Sequence, residues 1–288
     1  MTLHIKTYCS IRGDELRYGV LTPTQNADFR QEWSERRKPL VFFPGLGGSV
    51  KNALVFFNAL LPVASPIYVP DLRGFGLNEA CKLPDPIHFV AEARHFINSV
   101  VLANESTPLW VGGISLGAAL ATRLFEWPEL REHASKLLLV APAYREHPNT
   151  FPLSVVGKTA LDVMLKGPDS LVRLPYGLDD LTRNEAILTD PRHQEQMENF
   201  MLPISFAWQL RQFNRGAVKQ LSNISIPSCV VVPEQDTVCC PKAMVKASRR
   251  LGKKHDATLL TYPQARHDIF LEPEVLMLAD DVSQWLLT

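Results

Sequence analysis

The stretch Leu109-Trp110-Val111-Gly112-Gly113-Ile114-Ser115-Leu116-Gly117-Ala118-Ala119-Leu120 decides the fold. Its first half is apolar with β-branched and aromatic residues, as a buried strand requires, and its second half is rich in helix formers. At the joint, Gly113-Ile114-Ser115-Leu116-Gly117 puts a serine on a sharp strand-to-helix turn. The glycines two residues to either side let the backbone pass close to the adjacent strand and helix. A serine hydroxyl is a weak nucleophile at neutral pH, so it needs a base within hydrogen-bond reach and a third group to orient that base.

Short apolar runs alternate with helical patterns on both sides of this stretch, at residues 40–44, 66–72, 108–113, 136–142, 228–233 and 257–262. Each is apolar on both faces, which predicts central strands of a mainly parallel sheet. Residues 4–11 and 15–22 flank Arg12-Gly13-Asp14 and predict an antiparallel hairpin at the sheet edge, making eight strands in all. Residues 25–38 are polar and predict an exposed connection. Between Tyr144 and about Trp208 no strand pattern appears. Val155, Val156, Thr159, Val163 and Met197, Phe200, Met201 recur there at helical spacing. The expected organisation is an α/β core of residues 1–143 and 209–288 carrying a helical cap at 144–208.

Both partners of the serine are sought beyond the carboxyl ends of later strands, where groups gather in open α/β sheets. The run Val230-Val231-Val232-Pro233 leads into Glu234-Gln235-Asp236, with Asp236 the preferred acid and Glu234 the alternative. Leu259-Leu260-Thr261-Tyr262 leads into Pro263-Gln264-Ala265-Arg266-His267, so His267 follows the last strand. Of the other histidines, His4, His88, His95, His133, His147 and His193 precede the acid, while His255 precedes the last strand and belongs at its opposite end. The serine-acid-histidine order is the one such strand-to-helix serines use. An oxyanion hole is expected from the N–H groups of Leu116 and, in Phe43-Pro44-Gly45-Leu46-Gly47-Gly48-Ser49, of Leu46, with Gly45 the alternative. A phosphate-binding role for that glycine run is disfavoured, because it lacks G-x-x-x-x-G-K-[ST] and G-x-G-x-x-G.

Lys plus Arg and Asp plus Glu number 30 each, so nucleic acid is not an expected partner. Arg249, Arg250, Lys253 and Lys254 read as the solvated end of a helix. No secretory h-region and no run of about 18 apolar residues appears, so membrane contact is expected to be peripheral at most. Five cysteines without metal-ligand spacing point to a reduced, cytoplasmic setting. The adjacent Cys239 and Cys240 read as small buried residues rather than a redox switch. With no H-E-x-x-H, no cysteine-histidine cluster and no dinucleotide fingerprint, neither a metal nor an organic cofactor is expected.

On these residues the chain resembles the α/β-hydrolase superfamily, and within it the branch of monoacylglycerol lipases, lysophospholipases and serine-aminopeptidase-like hydrolases. Asp71-Leu72-Arg73-Gly74-Phe75-Gly76-Leu77-Asn78 matches that branch's D-x-R-G-x-G-x-S, with asparagine in the serine's place. Ala265-Arg266-His267-Asp268 with Glu272 is similar to its G-A-R-H-E-x-x-x-E pattern, and Leu181-Thr182-Arg183-Asn184 with Thr189-Asp190-Pro191 to its cap segment. Pro44 stands where relatives usually have histidine, and Ala118 where many have glycine.

The resemblance implies an α/β-hydrolase fold, a mostly parallel eight-stranded sheet flanked by helices with an inserted helical cap. It implies acyl transfer to Ser115, assisted by His267 and Asp236, from a small-molecule or lipid ester with a medium or long acyl chain. Thioesterases, amidases, aminopeptidases and acyltransferases share the scaffold. A binding protein that has lost turnover is the alternative of another class, against which the full set of Ser115, Asp236 and His267 argues. Phe151, Val155, Leu161, Met164, Met197, Phe200, Met201, Phe206 and Trp208 are expected chiefly to form the cap's own core, with some lining an acyl pocket.

Overall fold

The structure is a computed structural model that describes every residue except 25–36, 106–107, 149, 151–162, 164 and 166. The exposed connection expected at 25–38 therefore lies largely outside the described residues. The main-sheet strands are β1 (Thr2–Cys9), β2 (Glu15–Thr22), β3 (Lys38–Phe43), β4 (Ala64–Pro70), β5 (Leu109–Ile114) and β6 (Ala134–Val140), followed after two short strands, β7 (Leu171–Arg173) and β8 (Met201–Pro203), by β9 (Ser228–Pro233) and β10 (Ala257–Tyr262). They form one eight-stranded sheet in the order β1-β2-β4-β3-β5-β6-β9-β10. β1 and β2 are the expected antiparallel hairpin, β2 meets β4 antiparallel, and all other neighbours are parallel.

β5 lies centrally and is buried along its whole length, the position its unbroken apolar run demands. Several strands start about two residues earlier than the apolar runs suggest. In β4, for example, Ala64 pairs with Lys38, whereas Leu72 is buried in the core after the ladder has ended. Hydrophobicity reports burial rather than ladder pairing, and the two part company at strand ends. Helix Leu54–Leu60 packs on helix Val275–Leu287, and helix Leu116–Arg123 packs on helix Ile204–Gln220.

Between β6 and β9 the described residues include the short helices Leu178–Leu181, Glu185–Leu188 and Pro191–Asn199. The last of these starts as its sequence dictates: the Asp190 side chain caps the Arg192 N–H and Pro191 follows at the first helical position. The expectation that the interval holds no strand needs correcting, since β7 and β8 pair antiparallel within it. Three residues are too few to show a period of two, which is why neither strand stands out. Among the described residues no helix is long and apolar enough to cross a membrane.

Candidate active site

Ser115 sits between β5 and helix Leu116–Arg123 with φ 53° and ψ −116°, a backbone conformation that a residue bearing a Cβ rarely adopts. The surroundings hold it there: its N–H donates to Val140 O at 2.9 Å, and its carbonyl accepts from Ala119 N at 3.2 Å and Ala143 N at 3.1 Å. The flanking glycines are steric necessities. A Cβ on Gly117 would lie 1.9 Å from the Phe43 carbonyl oxygen, and one on Gly113 would lie 2.3 Å from the Gly117 backbone.

The structure brings His267 and Asp236 to this serine. His267 Nε2 lies 2.9 Å from Ser115 Oγ, and its Nδ1 lies 2.7 Å from Asp236 Oδ2. Asp236 Oδ1 accepts the N–H groups of Val238 at 2.8 Å and Cys239 at 2.7 Å, which turns Oδ2 toward the imidazole. Asp236 and His267 are both buried. Glu234 is exposed, two residues back along the same turn, and His255 lies beyond the opposite end of β10 from His267.

Burial favours the neutral imidazole of His267. The charge of Asp236 and its hydrogen bond, with the charge of Asp268 added, outweigh burial and raise the pKa above its ordinary value. Burial likewise pushes the Asp268 carboxyl up to about 6, although the His267 charge opposes it. A base must be neutral to accept a proton, so a raised pKa keeps His267 protonated to higher pH. The acid limb of kcat/KM is therefore expected above the roughly 6.5 of a free imidazole. Asp268→Asn removes one of the charges that raise it, so the limb should move to lower pH. A limb that does not move would show that this charge is not felt at the ring.

The loop Gly45–Gly48 faces Ser115 across a cavity of about 150 Å³ that both help to line. A Cβ on Gly45 would sit 3.4 Å from that of Ser115, so the Leu46 segment runs in contact with the elbow. Leu116 is the first residue of its helix, and its N–H has no intrahelical acceptor. The loop is braced by Asp71, a residue whose motif is visible in the sequence but whose task is not. Its carboxylate accepts from Ser49 Oγ at 2.5 Å, Val50 N at 2.8 Å and Leu77 N at 2.8 Å. Asn78, the departure from the family pattern, donates to Asp71 O at 2.7 Å and Arg17 O at 3.0 Å.

The family-like motifs at residues 181–191 and 265–272 prove to be halves of one latch. Arg183 N donates to Glu272 Oε1 at 2.8 Å, and the Arg183 guanidinium pairs with Glu272 and Glu274. Asp268 N donates to Leu181 O at 2.8 Å, Asn184 Nδ2 donates to Leu271 O at 3.0 Å, and Arg266 donates to Asp179 O and Thr182 O. Residues 179–184 are thus fastened to the loop that carries His267.

Met197 and Phe200 line the cavity, as does Tyr176, which the sequence does not single out. Phe206 instead packs against Phe75 and Phe89 in the core, while Met201 and Trp208 are exposed. Phe151, Val155, Leu161 and Met164 lie outside the described residues. Among the described residues Asp236, Cys239 and His267 bring a carboxylate, a thiol and an imidazole within 4.8 Å of one another, the make-up of a metal site. Burial, with the Asp236 charge added, lifts the Cys239 thiol well above its ordinary range, which disfavours the thiolate that a metal needs. Asp236 and His267 are moreover engaged with each other.

This strand order, with a strained serine after the central strand and a histidine after the last, defines an α/β-hydrolase of the serine-hydrolase class. A profile of the family described as "Serine aminopeptidase, S33" matches residues 34–274, and the chain belongs to that family. It is 25% identical over 283 residues to a putative monoglyceride lipase of Schizosaccharomyces pombe, covering 90% of this chain and 70% of that protein. It is 23% identical over 233 residues to a monoacylglycerol lipase of Mycolicibacterium smegmatis, covering 77% of this chain and 78% of that protein. A soluble variant of monoglyceride lipase from Saccharomyces cerevisiae, solved with a substrate analogue, superposes with a TM-score of 0.78 at 18% identity, covering 99% of this chain and 95% of that one.

Proposed function

We propose that this protein hydrolyses carboxylic esters of lipophilic acyl groups through a Ser115-His267-Asp236 triad. The observation that carries the reading is the bridging imidazole, 2.9 Å from Ser115 Oγ on one side and 2.7 Å from Asp236 on the other. In this mechanism His267 takes the Ser115 proton as Oγ attacks the ester carbonyl, and Asp236 stabilises the imidazolium. The N–H groups of Leu46 and Leu116 would hold the oxyanion. The imidazolium then protonates the departing alcohol, and water, deprotonated by His267, releases the acid from the acyl-enzyme.

In this reading residues 144–208 form a cap over the core of 1–143 and 209–288, and the acyl chain leaves the serine between them. Met197 and Phe200 on the cavity wall support a lipophilic acyl group, and the monoglycerides in the relatives' names are natural first substrates. An active-site fluorophosphonate is expected to label Ser115 in the wild type, and esters of longer acids to be turned over faster than acetates. Absence of labelling in folded protein would overturn the nucleophile, and a flat response to acyl length would overturn the lipophilic pocket.

A further inference from the structure

Tyr176 is the polar group that the cavity beside Ser115 leaves unused. Its ring packs against the core, and the residue lines the cavity together with Ser115 and His267. The other polar side chains lining that cavity outside the triad are accounted for. Ser49 Oγ donates to Asp71, Asn52 Oδ1 accepts the Ser49 N–H, and Asp268 Oδ1 accepts the Phe270 N–H. His193 faces Asp190, the cap of its own helix, at 3.5 Å, and Gln196 is exposed. The Tyr176 hydroxyl has no hydrogen-bond partner among the described residues. Burial, with the negative charges of Asp236 and Asp180 added, raises its pKa, so the hydroxyl keeps its proton and stands as a donor. A donor withdrawn from water without an acceptor is costly until a ligand supplies one.

The neighbouring chain fixes where this donor stands. Thr237, next to Asp236, donates from Oγ1 to Asp180 Oδ1 at 2.5 Å, and the Gly177 N–H donates to Asp180 Oδ2 at 2.8 Å. Residues 177–180 thus lie against the turn that carries Asp236, and Tyr176 reaches the cavity from the Asp236 and His267 side of Ser115. That side is where the alcohol half of an ester must lie, because His267 has to protonate the departing alcohol oxygen. A lipophilic acyl chain offers no acceptor beyond its carbonyl, which the oxyanion N–H groups take. The acceptor left for Tyr176 is a hydroxyl of the alcohol.

Resting on the ester-hydrolase reading above, we propose that Tyr176 reads the alcohol half of the substrate, its hydroxyl donating to a hydroxyl of the departing alcohol. Esters of hydroxylated alcohols are then cleaved in preference to the matching alkyl esters.

Propyl octanoate and 1-glyceryl octanoate differ only by hydroxyls on the same three-carbon alcohol and form the test pair. Wild-type kcat/KM should be about tenfold higher for the glyceryl ester. Tyr176→Phe keeps the ring and removes a hydroxyl without a partner in the protein, so it should fold and take a fluorophosphonate at Ser115 as the wild type does. In this variant kcat/KM for the glyceryl ester should fall by about tenfold and that for the propyl ester should change by less than about twofold, bringing the two rates together. An equal fall on both esters, or none on either, would overturn the assignment of Tyr176, and equal wild-type rates would overturn the preference itself. A variant that fails to label would give the hydroxyl a structural task and overturn the assignment as well. If wild-type protein that labels cleaves neither octanoate, the ester-hydrolase reading itself fails, and the inference with it.

Discussion

Ser115→Ala should lower kcat for p-nitrophenyl esters by about 10⁶, with the melting transition unmoved. Two features make this a clean experiment. The conformation at φ 53° strains alanine and serine alike, because the penalty comes from the Cβ that both carry. Of the groups around the hydroxyl, His267 keeps its other nitrogen tied to Asp236, so the buried imidazole is not orphaned. The measurement is steady-state turnover alongside a thermal melt. Turnover near wild type in a variant that melts normally would require another nucleophile.

Asp236→Asn is expected to reduce kcat by about 10⁴ with little effect on KM. The geometry gives the reason. Oδ1 accepts two backbone N–H groups, so an asparagine must keep its oxygen there and turn its NH₂ toward His267 Nδ1. The imidazole then accepts at Nδ1 and carries its proton on Nε2, pointing a donor at Ser115 when an acceptor is needed. Glu234→Gln alters an exposed carboxylate and should change kcat by less than about twofold. Inactive Glu234→Gln beside active Asp236→Asn would reverse the assignment of the acid.

The parts of this molecule that can be read from its sequence are those set by local chemistry and chain order. Ser115 is legible because the elbow admits no side chain at 113 or 117, so the glycines leave a mark in the letters. Asp236 and His267 are legible as its neighbours because each follows a strongly apolar strand, and a parallel sheet gathers strand ends on one edge. Choosing Asp236 over Glu234 is harder, because the difference lies in the direction of one turn, settled by the N–H groups of Val238 and Cys239.

Contacts between distant segments leave weaker traces. Asp71 braces residues 49, 50 and 77, and Arg183 meets a glutamate 89 positions away, yet nothing in either motif names its partner. The pairing of β7 with β8 is invisible for a different reason, since strands of three residues are shorter than the pattern that would reveal them. The cavity wall is intermediate. Met197 and Phe200 face it and Phe206 does not, although all three share the apolar character from which a pocket is read.

The latch between residues 179–184 and 264–274 also changes what ordering the segment between β6 and β9 costs. A pin between residues 179–184 and 264–274 shortens the loop that must close between β8 and the strands before it, and closure entropy grows only with the logarithm of loop length. Residues 185–203, which bring Met197 and Phe200 to the cavity, begin at that fixed point, and its other half is the segment that carries His267 to Ser115.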